Sequence, residues 1–314
     1  MRIGLVFALL VLSACAPAFA PFLDGGVTPK MTEDAILARD GTKLPLRLWE
    51  AQGVDHPRAV IVGLHGMSDY SNALAMPAKV WAKMGITTLA YDQRGFGLSP
   101  NPGIWAGADV MRSDLNDAVA AARARYPGVP VFASGESMGG AVVLTALASA
   151  DPPAVDGVIL VAPAVWSRGD MPFTYRAALF LGAHLVPGMI LSNNAAGKVV
   201  TIIPSDNIEM LRALGRDPLF QKKTRTDTLF GLVNLMDEAR TAPDSIKTAP
   251  PILFVYGAND QIIPTKPTQA VIAALGSKAT VKRYAHGYHM LLRDLEGETV
   301  DKDVADWVLA QASK

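Results

Sequence analysis

The sequence predicts an α/β fold built on a mostly parallel sheet, and three observations carry that expectation. Several strand-length runs, such as Ala59–Leu64, Val158–Val161 and Pro251–Gly257, are continuously apolar, as in strands covered on both faces. Helix-patterned stretches separate them, and strands alternating with helices close into parallel sheets through crossovers. The stretch Val129–Ala148 then joins the two element types. An apolar run, Val129–Ala133, leads into the turn Gly135-Glu136-Ser137-Met138-Gly139-Gly140 and on into an Ala/Leu/Val segment of helical composition.

Taken in order, the chain opens with a leader. Met1-Arg2 is a short basic start, and Ile3–Leu12 is apolar but too short to span a bilayer. Leu12-Ser13-Ala14-Cys15 resembles the lipobox of bacterial lipoproteins, which implies a signal peptide over 1–14, cleavage before Cys15 and a lipid on its thiol. Ordinary cleavage after Ala18 or Ala20, giving a secreted or periplasmic protein, and an uncleaved anchor are the alternatives. Cys15 is the single cysteine, so the fold carries no internal disulfide. Residues 15–30, rich in Ala, Pro and Gly, read as a tether.

Glu33–Glu50 reads as a β-hairpin, with Ala35–Ala38 and Leu44–Trp49 flanking an Asp40-Gly41 turn. The buried strand Ala59–Leu64 ends in His65-Gly66-Met67. A helix near Asn72–Met84, a strand Thr87–Tyr91, and a helix over Ala108–Tyr126 with Val110, Leu115, Val119 and Ala122 on one face precede the glycine-flanked turn. After Val158–Val161 the pattern changes. From 164 to 249 strands disappear and Met, Phe, Leu and Pro dominate, so this stretch is set apart as an insertion between core segments 31–163 and 250–314. Alternation then resumes through Pro251–Gly257, a helix at Thr265–Leu275, a strand at Thr280–Tyr284 and a last helix at Glu298–Gln311.

Composition narrows the chemistry. Lys plus Arg and Asp plus Glu both number 29, which leaves no electrostatic footprint for nucleic acid. No Cys/His or acidic cluster has metal-ligand spacing, and no glycine-rich segment is followed by the Lys-Ser/Thr of a phosphate loop, so neither a metal nor a cofactor is expected. Gly-x-Ser-x-Gly between a strand and a helix reads as a nucleophile elbow, a serine held on a sharp turn above the sheet. Ser137, Asp260 and His289 all follow strands, and loops at the carboxyl ends of parallel strands share one rim. Their order is the one an elbow fold uses: Ser137 as nucleophile, His289 as base, Asp260 holding the imidazole. His286, three residues earlier, is not separated from His289 by spacing. The N–H groups of Met67 and Met138 are the expected oxyanion donors, with Gly66 allowing an unusual backbone angle that turns the Met67 N–H inward. His65 is read as an orienting partner, and Asp92 and Arg94 as shaping their loop.

Together, His65-Gly66, Tyr91–Ser99, Gly135–Gly140, Gly257-Ala258-Asn259-Asp260 and Gly287-Tyr288-His289 resemble the α/β-hydrolase superfamily, in its monoacylglycerol lipase and lysophospholipase branch. The resemblance runs from about Ala35 to Leu309. It implies an α/β-hydrolase fold with a mostly parallel eight-stranded sheet, helices on both faces and a helical cap at 164–249. It favours His289 over His286, because Met290-Leu291-Leu292 follows it. Asp217-Pro218-Leu219 resembles a motif common in such caps. The implied activity is ester cleavage through an acyl-enzyme, on a monoacylglycerol or lysophospholipid. A carboxylesterase, thioesterase, peptidase or cofactor-free haloperoxidase would use the same triad, and a non-catalytic lipid carrier is the rival outside enzymes. Phe173–Leu191 either lines an acyl channel, faces a bilayer or packs on itself.

The lipobox reading places the protein in a bacterial cell envelope. Cys15→Ser is expected to lose metabolic lipid labelling and leave the membrane fraction; a variant still lipid-labelled and fully membrane-bound would refute the anchor.

Overall fold

The computed structural model describes residues 17–20, 22, 25–192 and 202–314. The leader and Cys15 lie outside the described residues. Eleven strands are described: β1 Lys30–Met31, β2 Ala35–Leu37, β3 Lys43–Trp49, β4 Ala59–Leu64, β5 Ile86–Tyr91, β6 Val131–Glu136, β7 Gly157–Val161, β8 Ile190–Ser192, β9 Lys223–Arg225, β10 Ile252–Gly257 and β11 Ala279–Tyr284. The eight described α-helices are α1 Ala75–Lys83, α2 Ala108–Arg125, α3 Met138–Leu147, α4 Phe173–Leu185, α5 Ile208–Arg216, α6 Thr226–Ser245, α7 Thr265–Leu275 and α8 Gly297–Ala312.

Nine strands form one sheet in the order β1-β2-β3-β5-β4-β6-β7-β10-β11. From β5 to β11 every pairing is parallel, while β1, β2 and β3 add antiparallel strands at one edge. The sheet has nine strands where eight were expected. The two-residue β1, pairing Lys30 with Leu37, is too short for a period-2 signal.

The central strands bury both faces because their side chains alternate between two apolar layers. Val60, Val62 and Leu64 of β4 face a cluster with Leu115 of α2, Leu144 of α3 and Val271 of α7. Ala59 and Ile61 face the other, with Trp81 of α1 and Val304 and Val308 of α8. Helix α3 is buried along its whole length, which explains why its sequence carries no polar stripe. At the far edge β11 is paired, among the described residues, only to β10, and Thr280, Val281 and Arg283 are exposed.

Two expectations are corrected. Residues 25–30 were read as tether, yet Val27 N–H donates to the Arg39 carbonyl at 2.8 Å and β1 joins the sheet. Further upstream, Ala20 is buried and its N–H donates to Trp105 O at 2.9 Å. Within 164–249 strands were expected to be absent, but β8 and β9 pair antiparallel, Ile190 opposite Arg225. Three-residue strands within a helical segment leave little periodic trace. Among the described residues no helix is long and apolar enough to cross a membrane.

One buried carboxyl makes the fold sensitive to pH. Asp301 of α8 is 2% exposed and its Oδ1 has no hydrogen-bond partner among the described residues. Burial, then the nearby carboxylates Glu298 and Glu136, pushes its pKa from 3.8 to about 8. A carboxyl raised in the folded state binds its proton more tightly there than in the unfolded chain. Its contribution to stability is therefore largest at low pH and is lost as pH rises from about 4 to about 8. Thermal melts of Asp301→Asn and the parent across that range should show a gap favouring Asn that widens with pH and levels off above pH 8.

Candidate active site

The site is built where β6 turns into α3. Ser137 sits on that turn at φ 52° and ψ −114°, in the left-handed region where a residue with a Cβ is strained by about 1–3 kcal/mol. Hydrogen bonds on both sides hold it there. Its N–H donates to Val161 O at 2.9 Å, and its carbonyl accepts from Ala141 and Ala164 N–H at 3.0 and 2.9 Å. The flanking glycines are required by contact. A Cβ on Gly135 would lie 2.4 Å from the Gly139 carbonyl, and one on Gly139 would lie 2.4 Å from Leu64 O at the end of β4. Only bare backbone lets the first turn of α3 come this close to the strand ends.

Asp260 follows β10 and His289 follows β11. His289 Nδ1 donates to Asp260 Oδ2 at 2.8 Å, with both side chains buried. The other oxygen of Asp260 accepts from the N–H groups of Ile262 and Ile263 at 2.8 and 3.0 Å, so the carboxylate cannot rotate freely. His289 and Ser137 line one small cavity of about 110 Å³. The imidazole is thus oriented by a carboxylate on one nitrogen and faces the serine's cavity, the arrangement a general base needs. His286 is exposed and lies outside that cavity. His184 bonds Phe180 O within α4, and His56 lies on the exposed loop before β4.

His65 is locked as a neutral ring. Gln93 N–H donates to its Nε2 at 3.0 Å, which leaves Nδ1 to donate to Gly66 O at 2.8 Å. Burial lowers its pKa against the pull of neighbouring carboxylates. Because carbonyl and N–H of a trans peptide point in opposite directions, fixing Gly66 O also aims the Met67 N–H. Gly66 itself does not have a positive φ; Ser68 does, at 70°. The expected unusual angle at Gly66 is therefore corrected. Glycine is favoured there by crowding, since a Cβ would come within 3.3 Å of the Ser137 Cβ. Neither Met67 nor Met138 N–H is taken by a protein acceptor among the described residues. Asp92 accepts from Ser71 and Leu98 N–H at 2.9 and 2.8 Å, and Arg94 is buried between Asp40 and Asp114. Both brace the loop that supports His65.

Three buried side chains around this cavity went unassigned in the sequence. Arg293 donates to Asp69 Oδ2 at 2.8 Å and to both Glu136 carboxylate oxygens at 3.3 Å. The one visible signal is a lone charge after Met290-Leu291-Leu292.

A second cavity, of about 820 Å³, opens from Ser137 and Met67 into the segment after β7. Trp166, Met171, Leu179, Leu232, Met236 and Ile263 supply much of its wall. Tyr175, Met189 and Ile202, also lining it, are exposed. This segment is fastened to the loop after β4: Tyr70 Oη donates to Asp217 Oδ2 at 2.7 Å, and Gln221 N–H to Ser68 O at 2.8 Å. Burial and the Asp217 carboxylate push Tyr70 to about 12. Among the described residues no group of three or more His, Cys, Asp or Glu side chains could hold a metal.

A strained serine on an elbow, beside an oriented His–Asp pair on a parallel sheet, defines the serine-nucleophile class of α/β-hydrolases. Comparison with known proteins agrees: residues 55–296 match the family described as serine aminopeptidase, S33, and the chain belongs to that family. It is 27% identical to the human (Homo sapiens) monoglyceride lipase over 274 residues, covering 86% of this chain and 88% of the relative. Among solved structures it resembles the monoacylglycerol lipase of Paleococcus ferrophilus, with TM-score 0.70 and 20% identity, over 85% of this chain and 99% of that one. It also resembles a soluble variant of monoglyceride lipase from Saccharomyces cerevisiae, with TM-score 0.69 and 19% identity, over 94% and 99%.

Asp260→Asn keeps an acceptor for the Ile262 and Ile263 N–H groups but loses the charge that holds the imidazole. Steady-state kinetics should show kcat lower by on the order of 10²–10⁴, with the thermal midpoint little changed.

Proposed function

We propose that this carboxylic ester hydrolase cleaves monoacylglycerols through an acyl-enzyme formed on Ser137. The observation that carries this reading is the meeting of two unlike cavities at one serine. The large apolar cavity suits an acyl chain, and its volume falls in the range of small-molecule sites. The small cavity, walled by Asp69, Glu136 and Arg293, suits a compact alcohol bearing hydroxyls. Resemblance to monoglyceride lipases supports the same assignment.

In this mechanism Ser137 Oγ attacks the ester carbonyl while His289 Nε2 takes its proton. Asp260 stabilises the imidazolium, and the N–H groups of Met67 and Met138 receive the developing oxyanion. His289 returns the proton to the departing glycerol. Water, activated by the same imidazole, then releases the fatty acid and restores the serine hydroxyl. The exposed apolar rim of Tyr175, Met189 and Ile202 would let a chain pass from a lipid surface, and a lipid on Cys15 would keep the protein near one.

Purified protein is expected to hydrolyse medium- and long-chain monoacylglycerols, and a fluorophosphonate should label Ser137. Ser137→Ala should lose labelling and at least about three orders of magnitude in kcat. Preference for lysophospholipids would revise the alcohol group; indifference to both lipids with cleavage of N-terminal prolyl peptides would overturn the substrate class.

A further inference from the structure

A polar wall for the alcohol group does not explain why the buried charges of Asp69, Glu136 and Arg293 are bonded to one another. Their placement is specific. Asp69 stands two residues after Met67, Glu136 immediately before Ser137, and Arg293 four residues after His289, in a short 3₁₀ turn, Leu291–Arg293. All three are at most 5% exposed. One guanidinium therefore joins the oxyanion loop, the elbow and the histidine loop. Burial would pull Arg293 down, but Glu136 and Asp69 outweigh it and hold the guanidinium charged. Its Nε has no hydrogen-bond partner among the described residues.

Stability alone does not account for such a cluster, because buried ion groups can often be replaced by well-packed neutral side chains at no loss. What neutral packing does not reproduce is a directional link between three loops at once. Arg supplies it because its planar fork donates along fixed directions to two partners. We propose that Arg293 is a positioning residue, setting the distances among the Ser137 hydroxyl, the His289 ring and the Met67 N–H through Asp69 and Glu136. This rests on the triad reading. Displacement of catalytic groups by about 1 Å can cost on the order of 10² in rate, so the effect falls on kcat.

Arg293→Met alone would strand two buried carboxylates and could unfold the chain. The decisive variant is the neutral triple, Asp69→Asn, Glu136→Gln and Arg293→Met, compared with Arg293→Lys on a short, water-soluble ester whose alcohol carries no second hydroxyl for the small cavity to bind. The triple variant should melt near the parent, lose about 100-fold in kcat with KM within about threefold, and label equally slowly with fluorophosphonate. Arg293→Lys should recover part of kcat by holding one carboxylate. A folded triple variant with kcat within about threefold of the parent, or losses that follow only the melting temperatures, would overturn the proposal. Ser137→Ala run in parallel separates the failures. If it stays active, the triad reading falls and the proposal with it; if it is inactive beside an unimpaired triple variant, only the role of Arg293 falls.

Discussion

The first turn of α3 lies against the end of β4 with nothing but backbone between them. Gly139 over Leu64 O, and Gly135 under the Gly139 carbonyl, leave no room for a methyl group. From that contact the rest of the site follows. It forces the chain at Ser137 into the left-handed region and lifts its side chain off the sheet. It also brings the loop after β4 beside Ser137, close enough that a Cβ at position 66 would come within 3.3 Å of the Ser137 Cβ. The strain at Ser137 is sustained by the three backbone hydrogen bonds on either side of it. One comes from Ala164, so the start of the segment after β7 is tied to the Ser137 carbonyl itself.

Electrostatics divides the site into two regions. Toward the segment after β7 the wall is almost wholly apolar. Toward the His289 loop it is charged, with Asp69, Glu136 and Arg293 together carrying one net negative charge. Burial raises Asp294 to about 6 and Asp301 to about 8, helped by Asp206 and Glu298 respectively and, to a smaller extent, by Glu136. The protein thus keeps polar chemistry on one side of a serine and hydrocarbon on the other. Such a division would orient a molecule with a polar head and an apolar tail before any bond changed.

Much of this was legible in the sequence because it is local. The strands β4, β6 and β10 are short apolar runs with turn signals behind them, and the elbow's glycines stand within five residues. Ser137, Asp260 and His289 could be ordered because each follows a strand. What could not be read is tertiary. The reason for glycine at 66 is a neighbour 71 positions away, not its own backbone angle. Arg293 looked like a stray charge until Asp69 and Glu136, 224 and 157 residues distant, closed around it. His286 and His289 were equivalent by spacing, and only the family resemblance favoured His289; in the structure His289 is the one buried against the Asp260 carboxylate.

The sheet also has to end somewhere, and β11 shows how. Its outer edge is unpaired among the described residues, which on a flat apolar strand would invite a neighbouring molecule to add on. Lys282 and Arg283 stand on this strand, with Lys282 paired to Asp303 at 3.0 Å and Arg283 over the Tyr256 ring. An arriving strand would have to strip water from both cations to continue the ladder. The same two side chains thus weigh against edge-to-edge growth of the sheet from one molecule to the next.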